Sequence, residues 1–208
     1  MKTLSCPLEQ ALEVVRTARP EADPNEGFLR QLFLFQTMGL SLEGQTSAHA
    51  EYRLFAAGAE YQRTGSSGPG REWFGDLGDG ARCKGCRRAL FDRISVVGHG
   101  TKDSNSVVAF RQPPWQHKSN PIRSLSDNGA SCSSIFVEPM DWMVKASSEA
   151  PGWSSSEGKL TCPGCSRKLG SWSWGGEQCG CGAGVCPAFR FSLSNIDLPP
   201  AMTLNPTP

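Results

Sequence analysis

The chain has 208 residues, of which 38% are hydrophobic, and its 21 basic and 20 acidic residues leave a formal net charge of +1. This balance excludes a global electrostatic attraction to nucleic acid or membranes, so any such partner must be met by a local charged patch. The sequence has no run of about 18 apolar residues, so no membrane-spanning helix and no membrane partner are expected. Because 23 glycines and 15 prolines leave a small core for this length, we expect cross-links to support the fold.

The N-terminal part of the sequence predicts helices. Residues 7–19 and 25–39 carry apolar side chains at helical spacing, and Asn25 is a suitable N-cap for the second helix. Residues 48–63 are a possible third helix, followed by a flexible Gly/Ser joint at residues 65–70. The first two helices expose more apolar surface than a two-helix unit can bury, so we expect a further protein surface against them.

From residue 82 onward the pattern changes to short β-like runs. The predicted strands are residues 93–97, 106–110, 134–137, 169–174 and 188–191. Residues 138–143 predict one helical segment with Pro139 in its first turn. The composition of residues 147–157 and 197–208 predicts a disordered insertion and a disordered tail.

The nine cysteines are grouped in a manner typical of metal ligands. Two C-x-x-C pairs, at residues 83–86 and 162–165, are accompanied by a C-x-C pair at residues 179–181. The N-terminal residues lack the apolar run of a signal peptide, so we expect a reducing compartment, the cytosol or nucleus, and no disulfide framework. Closely spaced thiolates with glycine-rich turns indicate zinc, which prefers closed tetrahedral sites of Cys and His. Cys6 and Cys186 are interpreted as inert thiols.

The sequence also carries motifs of a known family. R-P-E-A-D-P-N-E-G-F-L-R-Q-L at residues 19–32 resembles the closing helices of dual-specificity protein phosphatases. With C-K-G-C-R-R-A-L-F at residues 83–91, F-V-E-P-M-D-W-M at residues 136–143 and the cysteine-rich stretch at residues 161–184, the chain resembles the dual-specificity protein phosphatase 12 family.

The resemblance implies an α+β protein with four parts. These are the last helices of a truncated phosphatase domain at residues 1–40, a linker with a possible helix at 41–81, a mainly β two-zinc domain at 82–195 and a disordered tail at 196–208. The two distant C-x-x-C pairs also resemble the β-tent zinc folds of Yippee proteins and of the ligand-binding domain of cereblon. In those folds the two pairs share one metal ion.

Eight candidate ligands would make two zinc sites. They are Cys83, Cys86, His99, Cys132, Cys162, Cys165, Cys179 and Cys181. The β-tent resemblance implies that the two C-x-x-C pairs share the first zinc and that the other four residues hold the second. Grouping by proximity in the sequence would instead join the first four candidates and the last four. We favour the interleaved arrangement because it ties both ends of the domain together, and His117 is the alternative to His99.

The sequence predicts no catalytic residue for phosphatase chemistry. A cysteine phosphatase needs an H-C-x5-R loop, in which the loop amides and the Arg hold the phosphate and the thiolate attacks it. No His precedes any Cys here, and no Arg stands six residues after one. As written, the chain is expected to be inactive. The alternative is a fragment or short isoform of an active phosphatase whose Cys loop lies upstream of Met1.

A basic cluster surrounds the first C-x-x-C pair. Its members are Arg82, Lys84, Arg87, Arg88 and Arg93. One interpretation is that these cations offset the negative charge of a zinc-bound thiolate cluster. The other is contact with phosphates of RNA or of a phosphoprotein. The family resemblance implies association with large ribosomal subunit precursor (pre-60S) particles, with ribosomal RNA as a possible contact, and a location in cytoplasm and nucleus.

Overall fold

The computed structural model describes residues 1, 6–68, 70–72, 80–99, 132–143, 155–180 and 183–199. Within these ranges the protein is α+β, which confirms the predicted class. The α-helices are α1 (Leu8–Ala18), α2 (Glu26–Thr37) and α3 (Ser47–Thr64). None of the helices in this part of the chain combines the length and apolar character needed to cross a membrane.

Local side chains set the ends of the two longer helices. The Asn25 side chain accepts a hydrogen bond of 3.0 Å from the backbone N–H of Phe28 and thereby begins α2, as predicted. The Thr46 hydroxyl caps α3 in the same way, through the N–H of His49. Helix α3 ends at Gly65, whose φ of 73° is a left-handed conformation that glycine adopts without steric cost.

Ten strands lie within the described ranges. They are β1 (Ala81–Cys83), β2 (Ala89–Phe91), β3 (Val96–Val97), β4 (Ser134–Val137), β5 (Glu157–Thr161), β6 (Lys168–Ser173), β7 (Glu177–Gln178), β8 (Gly184–Val185), β9 (Ala188–Ser192) and β10 (Ile196–Asp197). They form a five-stranded sheet in the order β3-β4-β9-β6-β5, a three-stranded sheet in the order β10-β1-β2, and the pair β7-β8. Every pairing is antiparallel.

The hydrophobic core lies between these sheets and is rich in aromatic side chains. Phe91 of β2 and Phe191 of β9 are fully buried, with ring centroids 4.9 Å apart. The indole N–H of Trp142 donates to the Leu90 carbonyl oxygen at 2.9 Å and so pairs its polar atom within the core. Phe136 and Phe189 are also fully buried. The three-stranded and five-stranded sheets therefore share one core.

Helix α3 packs onto this core. Ala50 and Leu54 are fully buried in it, and the ring of Tyr61 stacks on Trp174 at 4.5 Å with an interplanar angle of 8°. Arg53 donates from Nη2 to Oε1 of the buried Glu138 at 2.8 Å. Residues Ser47–Thr64 of the segment predicted as a linker with a possible helix are thus a helix docked on the β-sheets.

The strand predicted at residues 93–97 forms only in part. Residues 93–97 were expected to be one strand, but Arg93–Ser95 form a 3₁₀ helix and only Val96–Val97 are strand β3. The Asp92 side chain accepts from the Ser95 N–H at 2.9 Å, and this cap favours a turn over an extended chain. The strand predicted at residues 106–110 lies outside the described residues. Strand β10 pairs with β1, so the β domain extends beyond its predicted C-terminal boundary at residue 195.

Helix α2 carries a separate apolar surface. Leu34 of α2 and Met38, which directly follows the helix, form a small cluster of their own. Beside it lies an apolar cavity of about 370 Å³. Phe28 and Phe33 of α2 are 58% and 40% exposed, so much of the apolar face of this helix is open to solvent.

Candidate metal centres

Two tight turns with the same internal bonds present the C-x-x-C pairs. In the turn between β1 and β2, which we call the first knuckle (residues 83–88), the Cys83 N–H donates to the Arg88 carbonyl oxygen at 2.9 Å. In the turn between β5 and β6, the second knuckle (residues 162–167), the Cys162 N–H donates to the Arg167 carbonyl oxygen at 2.8 Å. Local backbone hydrogen bonding therefore shapes both metal-binding turns alike.

Both knuckles also place one residue in the left-handed region and aim backbone donors at sulfur. Arg87 has a φ of 63° and Ser166 a φ of 57°, each directly after the second cysteine of its pair. The N–H of Gly85 donates to Sγ of Cys83 at 3.3 Å, and that of Gly164 donates to Sγ of Cys162 at 3.4 Å. Such donors favour the thiolate, which is the form that binds metal.

The four sulfurs of the two knuckles converge. Sγ of Cys83 lies 3.7 Å from that of Cys165, and Sγ of Cys86 lies 3.5 Å from that of Cys162. All four lie within 4.8 Å of one another. A tetrahedral zinc ion with Zn–S bonds of about 2.3 Å holds its sulfurs about 3.8 Å apart. The spacing of these four cysteines, the tetrathiol group, therefore fits zinc and is too long for disulfides.

The two buried cysteines of the tetrathiol group, Cys83 and Cys162, differ in the pKa of their thiols. Burial opposes ionisation of Cys83, but the hydrogen bonds from the Cys86 and Gly85 N–H groups and from the Cys165 and Cys162 thiols together lower the pKa of this thiol to about 7. Burial raises the pKa of Cys162 to about 12, and the hydrogen bonds with the thiols of Cys86 and Cys83 act in the same direction. A bound cation would favour the loss of the remaining protons.

A second set of donors meets at the opposite edge of the five-stranded sheet, beside β3 and β4. His99 follows β3, Cys132 precedes β4 and Cys179 lies in the turn between β7 and β8; their ligand atoms lie within 4.8 Å of one another. We call these three residues the histidine group. The Cys179 N–H donates to the Ala183 carbonyl oxygen at 2.7 Å and closes the turn that presents its sulfur.

The chemistry of the histidine group also fits a metal ion. Nε2 of His99 is buried and has no hydrogen-bond partner among the described residues, and the ring packs edge-on against Phe136 at 4.8 Å. Burial lowers the pKa of His99, which favours the neutral imidazole that metals bind. Cys181 and His117, the other candidates for this site, lie outside the described residues.

The structure therefore groups the candidate ligands in the interleaved way. Cys83 and Cys86 lie with the second C-x-x-C pair and not with His99 and Cys132. Each metal group joins segments that are distant in the sequence, since Cys83 and Cys165 are 82 residues apart. Metal at these groups would cross-link the two ends of the β domain.

Three known proteins are similar to this chain in sequence, two of them over most of its length. Dual specificity protein phosphatase 12 of Rattus norvegicus is 35% identical over 209 residues, which cover 95% of this chain and 58% of the relative. Tyrosine-protein phosphatase YVH1 of Saccharomyces cerevisiae is 30% identical over 91% of this chain and 56% of its own length. A probable inactive dual specificity protein phosphatase-like protein of Arabidopsis thaliana is 38% identical over 116 residues, 71% of its length.

This chain belongs to the dual-specificity protein phosphatase 12 family. No family model matches it. The chain spans just over half the length of the rat and yeast relatives of the phosphatase 12 family.

In this member of the phosphatase 12 family, the five residues of the predicted basic cluster do not form one free patch. Nζ of Lys84 donates to the Leu193 carbonyl oxygen at 2.9 Å, and the Arg87 guanidinium pairs with Asp197. Arg82 donates to the Arg87 carbonyl oxygen at 3.3 Å. These three cations hold the β9–β10 turn and the first knuckle. Arg88 and Arg93 are exposed.

Sequence reasoning missed Arg167, which occupies the same place in the second knuckle as Arg88 in the first. Both knuckles read C-x-G-C-x-R-x-L, and aligning the two C-x-x-C motifs would have shown the shared arginine. Of the two cysteines interpreted as inert, Cys186 donates to the Trp174 carbonyl oxygen at 3.4 Å and burial raises its pKa, which disfavours a reactive thiolate.

Proposed function

We propose that this chain is a zinc-binding interaction module of a dual-specificity protein phosphatase 12-like protein, with two zinc ions. The observation that carries the proposal is the convergence of the tetrathiol group and of the histidine group from distant segments. Thiolate and imidazole donors at these spacings suit zinc better than oxygen-seeking cations. Four thiolates would leave no open position for a water molecule, so zinc there would supply a structural cross-link.

For the histidine group we propose Cys181 as the fourth ligand. It follows Cys179 by two residues in the same glycine-rich turn, and a Cys₃His set is a common closed zinc site. The proposed ligand set is therefore the interleaved one.

The second candidate function is that of a protein Tyr/Ser/Thr phosphatase. The family membership and the exposed apolar face of α2 favour it, since closing helices of a catalytic domain would pack against that domain. We propose that the chain as given is inactive, because its sequence lacks the H-C-x5-R loop. An assay with an aryl phosphate substrate separates the two candidate functions. Hydrolysis whose rate scales with the protein concentration and survives treatment with a chelator would favour the phosphatase.

We further propose that the module binds an anionic partner in the cytoplasm and nucleus. This partner is the pre-60S ribosomal particle, with contact to ribosomal RNA, or another protein. Support comes from two exposed guanidinium groups of the basic cluster. Within the described part of the chain, the side chains of Arg88 and Arg93 form no ion pair and are exposed to solvent. Arginine in this state is suited to phosphate contacts.

The zinc content tests the module itself. The purified 208-residue chain should carry two zinc ions per chain by elemental analysis. The protein is expressed in zinc-supplemented medium and dialysed against metal-free buffer before the measurement, so that only bound zinc is counted. One zinc ion or none per chain would contradict the proposal.

The partner is tested by replacing exposed guanidiniums at matched zinc content. Arg88→Gln with Arg93→Gln should weaken association with pre-60S particles and flatten the salt dependence of binding by about 0.7 to 0.9 in log-log slope per lost phosphate contact. The matched control is Lys159→Gln with Lys168→Gln, which removes the same charge from exposed positions of the β5–β6 hairpin. Equal affinities and parallel slopes in wild type and in the Arg88/Arg93 variant would remove RNA and the particle as partners.

A further inference from the structure

Each knuckle of the tetrathiol group is covered by the arginine of the opposite knuckle. A Cβ atom built on Gly85 would lie 2.9 Å from Nε of Arg167, and one built on Gly164 would lie 3.2 Å from Cδ of Arg88. Ordinary side-chain contacts are longer than this, so the arginines lie directly against the glycine backbone. The two contacts are reciprocal, and each crosses from one hairpin to the other.

The same contacts place the arginines beside the exposed sulfurs. The position that a Gly85 Cβ would take is 3.3 Å from Sγ of Cys165, and the position for Gly164 is 3.2 Å from Sγ of Cys86. Cys86 and Cys165 are the exposed members of the tetrathiol group. The arginine stems therefore lie on the same side of the cluster as its two exposed sulfurs, the side from which a chelator would approach.

Neither arginine is engaged elsewhere in the part of the chain that the structure describes. Arg88 and Arg167 have no side-chain hydrogen bond or ion pair there, whereas the adjacent Arg87 pairs with Asp197. Their carbonyl oxygens hold their own knuckles through the Cys83 and Cys162 N–H groups. A side-chain substitution thus removes the crossing contact without removing a bond that shapes the turn.

We infer that Arg88 and Arg167 form a reciprocal clasp that retains the metal ion of the tetrathiol group. Four thiolates around Zn²⁺ carry a formal charge of about −2, and two adjacent guanidiniums offset it. The clasp also holds the β1–β2 and β5–β6 hairpins face to face, which keeps the four sulfurs at the spacing that a shared metal ion requires. In this role both are positioning residues and neither is a ligand.

The experiment measures zinc release into excess chelator with a colorimetric zinc indicator, on the full zinc-loaded chain. Arg88→Gln with Arg167→Gln should release zinc from one site about 10-fold faster, as expected for loss of groups that support metal ligands. Lys159→Gln with Lys168→Gln removes two positive charges from exposed positions of the β5–β6 hairpin and should release zinc at the wild-type rate. The histidine group provides an internal reference, because its release should not change.

A second variant keeps the clasp testable if the double substitution does not fold. Gly85→Ala introduces a methyl group whose carbon would lie 2.9 Å from Arg167 Nε, so it should displace this side chain, accelerate release in the wild type and add nothing to Arg167→Gln. Additive effects of these two changes would contradict the clasp, as would equal release rates in the clasp variant and the lysine control. The inference of a clasp rests on the proposed zinc binding, but different results would overturn each. A metal-free protein would overturn the proposed function. Bound zinc that the Arg88/Arg167 variant releases at the wild-type rate would overturn only the clasp.

Discussion

Glu138 is a buried carboxylate whose position depends on two arginines from outside the sheets. Only 1% of its side chain is exposed, and it accepts from Arg53 of α3 at 2.8 Å and from Arg71 at 3.4 Å. Arg71 also donates to the Ser95 hydroxyl at 2.7 Å and approaches Asp92. A buried charge is tolerated when its neighbours compensate it, so these residues act as one unit.

Removing the charge of Glu138 should take from Arg53 and Arg71 the buried carboxylate that they share. We expect Glu138→Gln to lower the free energy of unfolding by about 3 kcal/mol, measured by chemical denaturation of the zinc-loaded protein. Glu60→Gln is the matched control, because Glu60 pairs with Arg63 on the exposed face of α3 and such pairs contribute about 1 kcal/mol or less. Equal stabilities of the two variants would show that the buried network contributes no more than a surface pair.

At the scale of elements, α3 is part of the β domain although it lies before all of its strands. Its fully buried Leu54 joins the core, and Gly58 lets the helix approach Pro187, since a Cβ there would lie 2.8 Å from Pro187 Cδ. Tyr61 continues the same face through its stack on Trp174. The docked face therefore extends over about two turns of the helix.

Tyr61→Ala should separate the end of α3 from Trp174. The loss of a half-buried aromatic contact should lower the free energy of unfolding by about 2 kcal/mol, followed by helix circular dichroism and tryptophan fluorescence together. Because α3 belongs to the domain, both signals should report one transition. Tyr52→Ala, which removes a ring on the side of α3 that faces α2, is the control and should leave the fluorescence of the folded protein unchanged. Helix loss at lower denaturant than the fluorescence change would mean that α3 folds independently.

At the scale of the whole molecule, the metal groups join the sheets at points that the chain visits far apart. The tetrathiol group connects the β1–β2 and β5–β6 hairpins, which lie in different sheets. The histidine group connects the ends of β3 and β4 with the β7–β8 turn. Each strand pair is short, so the stability of the domain should depend on these cross-links.

Cys162→Ser should therefore abolish the folded β domain. Structural zinc contributes on the order of 10 kcal/mol of apparent folding free energy at neutral pH, which is comparable to the whole stability of a typical domain. Near-ultraviolet circular dichroism of the buried tryptophans should be lost in this variant and in chelator-treated wild type, and zinc should restore it only in the latter. Cys6→Ser, outside both metal groups, should behave as wild type. A native spectrum for Cys162→Ser would contradict a structural role for the metal.

Several features could be predicted from local sequence alone. Asn25 as the cap of α2, the cysteine knuckles and strand β4 follow from the chemistry of a few neighbouring residues, which act over short distances whatever the rest of the chain does. The α+β class and the family motifs were evident in the same way. Zinc was indicated because thiol spacing is itself a local property.

The tertiary structure decided which distant segments meet. Sequence spacing allowed two groupings of the cysteines, and only the antiparallel packing of the two hairpins brings Cys83 to within 3.7 Å of Cys165. The docking of α3 and the reach of Arg167 across Gly85 likewise depend on the relative placement of whole elements. Such contacts are set by the burial of side chains from many strands at once, so no short stretch of residues encodes them.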